Sequence, residues 1–135
     1  MDGLNVLVEE IRSSVTWVAG LADNIRAMTK LPIYYDDLCE INGYKISLAR
    51  SGRILAYVYP TTDGFRLVSK AEWAKRTGII DSIDRVDKIG WFGKPAAYWY
   101  VDRTDSESYW RVVRHLAKIA EVRYRVSRMR KPNWD

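Results

Sequence analysis

Tyrosines recur at every second residue in two segments of this chain, residues 53–59 and 96–102. Alternate side chains of a β-strand share one face, so each segment presents its tyrosines together. Lysines and arginines occupy the positions of the same predicted face, both in residues 53–59 and in the neighbouring segments 43–50 and 65–70. The residues that the pattern places on this face are Lys45, Arg53, Tyr57, Tyr59, Arg66, Lys70, Tyr98 and Tyr100. Rings beside Lys and Arg can stack on nucleobases and neutralise phosphates, which is how unpaired strands are bound. We call this surface the tyrosine face.

Two further groups could extend that surface. Residues 90–95, Gly-Trp-Phe-Gly-Lys-Pro, place Trp91 and Phe92 in a turn. Either these rings plug the edge of the core, or they form an aromatic lip beside the tyrosine face. Arg111 and Arg114 lie near the start of the last predicted helix, where the helix dipole does not favour cations. We therefore predict that both arginines contact phosphates.

Residues suited to catalysis or metal binding are few. His115 is the single histidine and Cys39 the single cysteine, so no Cys/His set is available for zinc. We predict a non-enzymatic protein with no cofactor and no metal. Two carboxylate clusters leave a metal-dependent nuclease as an alternative: Asp36, Asp37 and Glu40, and Asp81, Asp84 and Asp87.

Charge and composition favour a polyanionic partner. The sequence pI is about 9.4, and the whole net charge of +5 comes from residues 103–135, since residues 1–102 hold 13 cations and 13 carboxylates. The absence of Gln together with 29% charged residues is typical of a thermophile. With no apolar run long enough for a membrane helix, no secretory signal and a lone cysteine, we expect a cytoplasmic protein.

Periodicity predicts the elements that carry these residues. An apolar stripe predicts a helix over residues 4–29, and three strands follow over 43–50, 53–59 and 65–70, the first two joined at Ser51-Gly52. Capping boxes at Ser69/Glu72 and Thr104/Glu107 predict a short helix ending at Gly78 and a long one to about residue 130. A fourth strand is predicted at 96–102, residues 33–42 are ambiguous, and 79–95 are a long connection.

This order predicts a single α+β domain over residues 1–135. It has two layers, a four-stranded antiparallel sheet with the N- and C-terminal helices packed on one face. The opposite face is the tyrosine face.

The strands GYKISLARSGRILAYVYP and PAAYWYVD between a first helix and a basic closing helix resemble the ThermoDBP-related proteins. These are archaeal single-stranded-DNA-binding proteins. The resemblance implies sequence-independent binding of single-stranded DNA in a hydrophobic cleft edged with cations, in an archaeal cytoplasm. A cleft beside the first helix would involve Trp17, Trp91 and Trp99 more than the tyrosine face.

The predicted function is sequence-independent binding of single-stranded DNA, with RNA as the other possible strand. Rings of the tyrosine face stack on bases, and the cations contact phosphates. The alternative is a protein–protein interaction module, in which the first helix or the aromatic face meets a partner, including a second copy in a homodimer. No membrane partner is expected.

Overall fold

A computed structural model describes residues 2–38, 43–48 and 53–129 of the chain. Cys39, Glu40 and the predicted Ser51-Gly52 turn lie outside these residues. In chain order the helices and strands are α1 (Asp2–Thr29), β1 (Ile33–Leu38), β2 (Gly43–Leu48), β3 (Arg53–Pro60), β4 (Gly64–Lys70), α2 (Ala71–Arg76), a 3₁₀ turn (Ile80–Ser82), β5 (Arg85–Trp91), β6 (Lys94–Asp102) and α3 (Ser106–Met129). No helix in this part of the chain combines the length and the apolar character that crossing a bilayer requires.

The sheet is antiparallel with six strands in the order β1-β2-β3-β4-β6-β5. The α+β class is confirmed, whereas the prediction of four strands is wrong. The two additional strands, β1 and β5, lie at the two edges of the sheet. β1 falls within residues 33–42, whose structure the sequence left ambiguous, and β5 within residues 79–95, which were predicted to be a connection. Both are largely exposed along their length. An edge strand with little burial lacks the apolar alternation that marks a half-buried strand, so periodicity did not reveal them.

The helices pack on one face of the sheet, as predicted. The stripe of α1 buries Val18, Ala22 and Ile25 in the same cluster as Trp99 of β6 and Leu116 of α3. The face of the sheet opposite these helices holds the predicted tyrosines.

Both predicted capping boxes are wrong in detail. Ser69 remains in β4, where its hydroxyl donates to the Leu55 carbonyl, and α2 begins after Lys70 without a side-chain cap. At α3 the carboxylate of Asp105 accepts the backbone N–H of Glu107 at 3.0 Å. Aspartate caps helices as well as threonine does, so the sequence pattern located the helix start to within two residues but not the capping group.

Candidate nucleic-acid interface

Strand register aligns the predicted residues in a line across the middle of the sheet. Lys45 lies opposite Tyr57, Tyr57 opposite Val68, Val68 opposite Tyr98, and Tyr98 opposite Arg85. Directly opposed residues of antiparallel strands have their side chains on the same face and close together. Five strands therefore contribute to one continuous surface.

A second line runs beside the first. Arg66 lies opposite Tyr59 on one side and Tyr100 on the other. Its guanidinium carbon is 5.1 Å from the centroid of the Tyr59 ring, within the range of a cation–π contact. The Arg66 guanidinium is thus held against the Tyr59 ring, on the solvent side of the tyrosine face.

Arg85 is a cation of this surface that the sequence analysis missed. Its guanidinium carbon is 5.4 Å from the Tyr98 ring centroid. A side-chain hydrogen bond with Tyr100 is the main cause that raises the pKa of Arg85, and an ion pair with Asp87 at 3.3 Å adds to it. Arg85 was missed because it belongs to β5, the strand that periodicity did not reveal.

The tip of the β5–β6 hairpin folds over the tyrosine face. Phe92 and Gly93 have φ values of 50° and 83°, the pair of positive angles found in type I′ hairpin turns. The Tyr57 ring centroid on β3 lies 5.3 Å from that of Trp91 and 6.0 Å from that of Phe92, although β4 and β6 separate the two strands. Of the two interpretations of residues 90–95, the structure shows the aromatic lip beside the tyrosines.

A register irregularity allows the hairpin to bend in this way. Asp87 pairs with Ala96 and Trp91 with Lys94, so three residues of β5 oppose one of β6. Extra residues in one strand bend it and increase its twist. Gly90 lies in this stretch, and a Cβ atom there would come within 2.2 Å of the Tyr98 hydroxyl oxygen. Glycine therefore permits the hairpin backbone to lie directly against Tyr98.

The rings of this surface differ in accessibility. Phe92 is 76% exposed and Tyr100 42%, whereas Tyr57, Tyr59 and Trp91 are half-buried against one another. Burial raises the pKa of the Tyr57 hydroxyl and that of Tyr59, with Arg66 opposing the effect at Tyr59. Burial therefore favours the neutral phenol at both residues.

Three of the predicted cations lie elsewhere. The register shifts between Ile46 and Ser47, which places Arg53 opposite Leu48, a residue buried in the core. Because this shift inverts the alternation of β3, Arg53 falls on the helical side. There burial, and secondly the charge of Arg53, lowers the pKa of Arg123.

Arg111 and Arg114 belong to α3 and are also separate from the tyrosine face. The Arg111 guanidinium is 2.6 Å from a carboxylate oxygen of Asp84, which also accepts the Tyr100 backbone N–H at 2.7 Å. Arg111 thus helps to fix the end of β6, and its charge is already paired. Arg114 is exposed on the helix.

Two of the tryptophans expected in a cleft beside the first helix, Trp99 and Trp17, pack against other side chains of the protein. Trp99 is fully buried, and its indole N–H donates to Nδ1 of His115 at 2.9 Å. Trp17 stacks on Phe65 with ring centroids 3.8 Å apart. Trp91 is the member of that set that lies on the tyrosine face.

The remaining predicted cation, Lys70, lies at the end of β4 and forms an ion pair with Glu72 at 3.0 Å.

No group of three or more His, Cys, Asp or Glu side chains suited to a metal ion occurs among the described residues. Comparison of the chain with protein-family models, curated proteins and solved structures finds no match.

Proposed function

We propose that this chain is a binding module for single-stranded nucleic acid, with DNA as the leading ligand and no chemical step. The observation that carries the proposal is the position of Phe92. It is the most exposed large apolar side chain of the described residues, and it stands against Tyr57 on a sheet face flanked by Lys45, Arg66 and Arg85.

An unpaired base offers an apolar, flat surface of the kind that Phe92 exposes. Stacking on one aromatic ring contributes about 1 to 3 kcal/mol by alanine substitution and tolerates any base. Tyr100, also exposed, offers a second ring at the other side of the face. Binding on two such rings would be independent of sequence, since no side chain needs to read base edges.

Phosphates of the same strand would meet the cations between the rings. Lys45 and Arg66 form no ion pair among the described residues. Asp36 of β1 lies directly opposite Lys45 and offsets part of its charge, so Arg66 is the cation most available to a polyanion. Each phosphate contact on a single strand should add about 0.7 to the slope of log K against log salt concentration. The resemblance to the ThermoDBP-related proteins supports single-stranded DNA as the first ligand to test.

The test is fluorescence anisotropy with a labelled 20-nucleotide oligo-dT, repeated with RNA and duplex of equal length. We expect binding at low salt that weakens steeply as salt rises, and a preference for unpaired strands. Phe92→Ala should weaken binding by about 1 to 3 kcal/mol. Trp110→Ala, which removes a 41% exposed ring from α3, is the matched control and should have no effect. The proposal fails if oligo-dT does not bind with a Kd below ~10 μM at low salt, the middle of the range of about 10⁻⁴ to 10⁻⁶ M for non-specific binding.

A protein–protein module is the second candidate. In α1 the stripe from Val18 onward is covered by the core, and among the described side chains the exposed Phe92 and Tyr100 make the tyrosine face a surface suited to a partner. Light scattering that shows a stable dimer, abolished by Phe92→Ala in a protein without affinity for oligo-dT, would favour this candidate.

A further inference from the structure

A groove with an excess of positive charge lies beside the hairpin tip. Its volume is about 420 Å³, and its lining residues come from the end of β4, from α2 and from the start of β6: Lys70, Glu72, Lys75, Arg76, Lys94 and Pro95. Four cations and one carboxylate give the lining a formal charge of +3. We call it the basic groove.

Glu72 forms ion pairs with two of the four cations, Lys70 and Arg76. Its carboxylate pairs with Lys70 at 3.0 Å and with Arg76 at 2.8 Å. The Lys70 hydrogen bond is the main cause that lowers the pKa of Glu72, with the charges of Arg76 and Lys94 acting in the same direction. One carboxylate therefore orders two of the cations and leaves the groove positive.

Arg76 is held by a second contact. Its guanidinium carbon lies 5.0 Å from the Trp73 ring centroid, and Arg123 lies over the same ring at 4.9 Å. This fixed guanidinium differs from an ordinary surface arginine, which would lose side-chain freedom on binding an anion.

Lys75 and Lys94 form no ion pair among the residues that the structure describes. Both are exposed. They supply the charge of the groove that no ion pair engages, and an exposed ammonium group outside an ion pair can contact an anion.

The basic groove adjoins the tyrosine face at the hairpin tip. Lys94 lies directly opposite Trp91, the residue before Phe92, and Lys70 ends the strand that carries Arg66 and Val68. A strand that stacks a base on Phe92 would therefore place its next phosphates at the groove.

We propose that the basic groove binds phosphate groups, and that these are the backbone phosphates of a strand continuing from Phe92. The second part of this inference rests on the proposed function. Free oligophosphates share the same chemistry, and the experiment separates the two sources.

The test compares Lys75→Ala/Lys94→Ala with Lys118→Ala/Arg125→Ala, a matched pair of exposed cations on α3. In the oligo-dT titration, the groove variant should bind on the order of tenfold more weakly at 0.1 M salt, with the salt slope reduced by about 1.4 for two lost contacts. The α3 variant should keep the affinity and slope of the unmodified protein to within twofold. Equal behaviour of the two variants would refute a role for the groove in strand binding.

Tripolyphosphate is the second probe, measured by the shift in Tm and by isothermal titration. The groove as a phosphate site requires that tripolyphosphate raises Tm and that Lys75→Ala/Lys94→Ala removes the rise. If oligo-dT does not bind and tripolyphosphate does so in this groove-dependent way, the proposed function fails and the phosphate site stands. If oligo-dT binds equally to all variants and tripolyphosphate binds to none, the proposed function stands and the phosphate site fails.

Discussion

The two faces of the sheet use the same residue types in different ways. On the helical side, Trp99 is fully buried with its N–H bonded to His115, and Arg111 is paired with Asp84. On the tyrosine face, Arg66 rests on the ring of Tyr59, and Phe92 is largely exposed. Arg85 of this face is paired with Asp87, so the rings and cations most available to a ligand are those that neither helices nor carboxylates cover.

The largest expected contrast is in stability. Trp99→Ala empties a fully enclosed site and should destabilise the fold by about 3 to 5 kcal/mol. Phe92→Ala removes an exposed ring and should change the free energy of unfolding by no more than about 0.5 kcal/mol. Urea denaturation followed by circular dichroism measures both, and equal losses would show that Phe92 is part of the core.

The second contrast concerns pH. Burial, followed by the charges of Arg111, Lys118 and Arg114, lowers the pKa of His115 to about 4. The unfolded chain would protonate this histidine near 6.5, so unfolding takes up a proton and stability falls as pH decreases from about 6.5 to 4. We expect a loss on the order of 3 kcal/mol across this interval.

His115→Gln is the control for this prediction, because an amide can accept the Trp99 N–H without titrating. Urea midpoints of this variant should lack the His115 contribution to the pH dependence. A titration by NMR that places the His115 pKa near 6.5 in the folded protein would contradict the prediction.

The third prediction tests the hairpin that covers the tyrosine face. Gly90→Ala brings a methyl group against the Tyr98 hydroxyl and the Ala96 side chain, so either the hairpin tip or the Tyr98 ring must shift from its place on the tyrosine face. Overpacking of this kind costs about 1 to 2 kcal/mol, and oligo-dT affinity should fall as well. Adding Tyr98→Phe removes the nearest atom and should restore part of the stability. If Gly90→Ala were silent in both assays, the contact of the tip with the face would be unimportant.

The smallest expected effects distinguish two arginines. Arg66→Ala should weaken oligo-dT binding and lower its salt slope by about 0.7, with little change in stability. Arg111→Ala leaves Asp84 without its partner and should cost up to about 1 kcal/mol of stability, given that the pair is partly exposed, with oligo-dT affinity unchanged. If instead Arg111→Ala weakened oligo-dT binding and Arg66→Ala did not, the phosphates would contact α3 rather than the sheet.

Much of the fold was predictable because local periodicity reports burial. The alternation of residues 96–102 placed Tyr98 and Tyr100 together on one face, as the structure has them, and Trp99 between them is buried on the other. The apolar stripe over residues 4–29 likewise located α1, whose Val18 and Ile25 are buried in the core. These patterns arise from the geometry of single elements, so one segment is enough to read them.

Other features depend on contacts between segments that are far apart in sequence. The turn at Phe92 lacks the Asn-Gly pair that usually signals a two-residue hairpin, and only its packing against Tyr57 reveals where it points. The register shift in β3 moved Arg53 to the helical side, and the pairing with Asp84 occupied Arg111. The amino-acid sequence by itself determined which faces of the strands are aromatic or apolar. The tertiary structure alone decided which rings and cations meet, because that depends on non-local pairing and on how the β5–β6 hairpin bends.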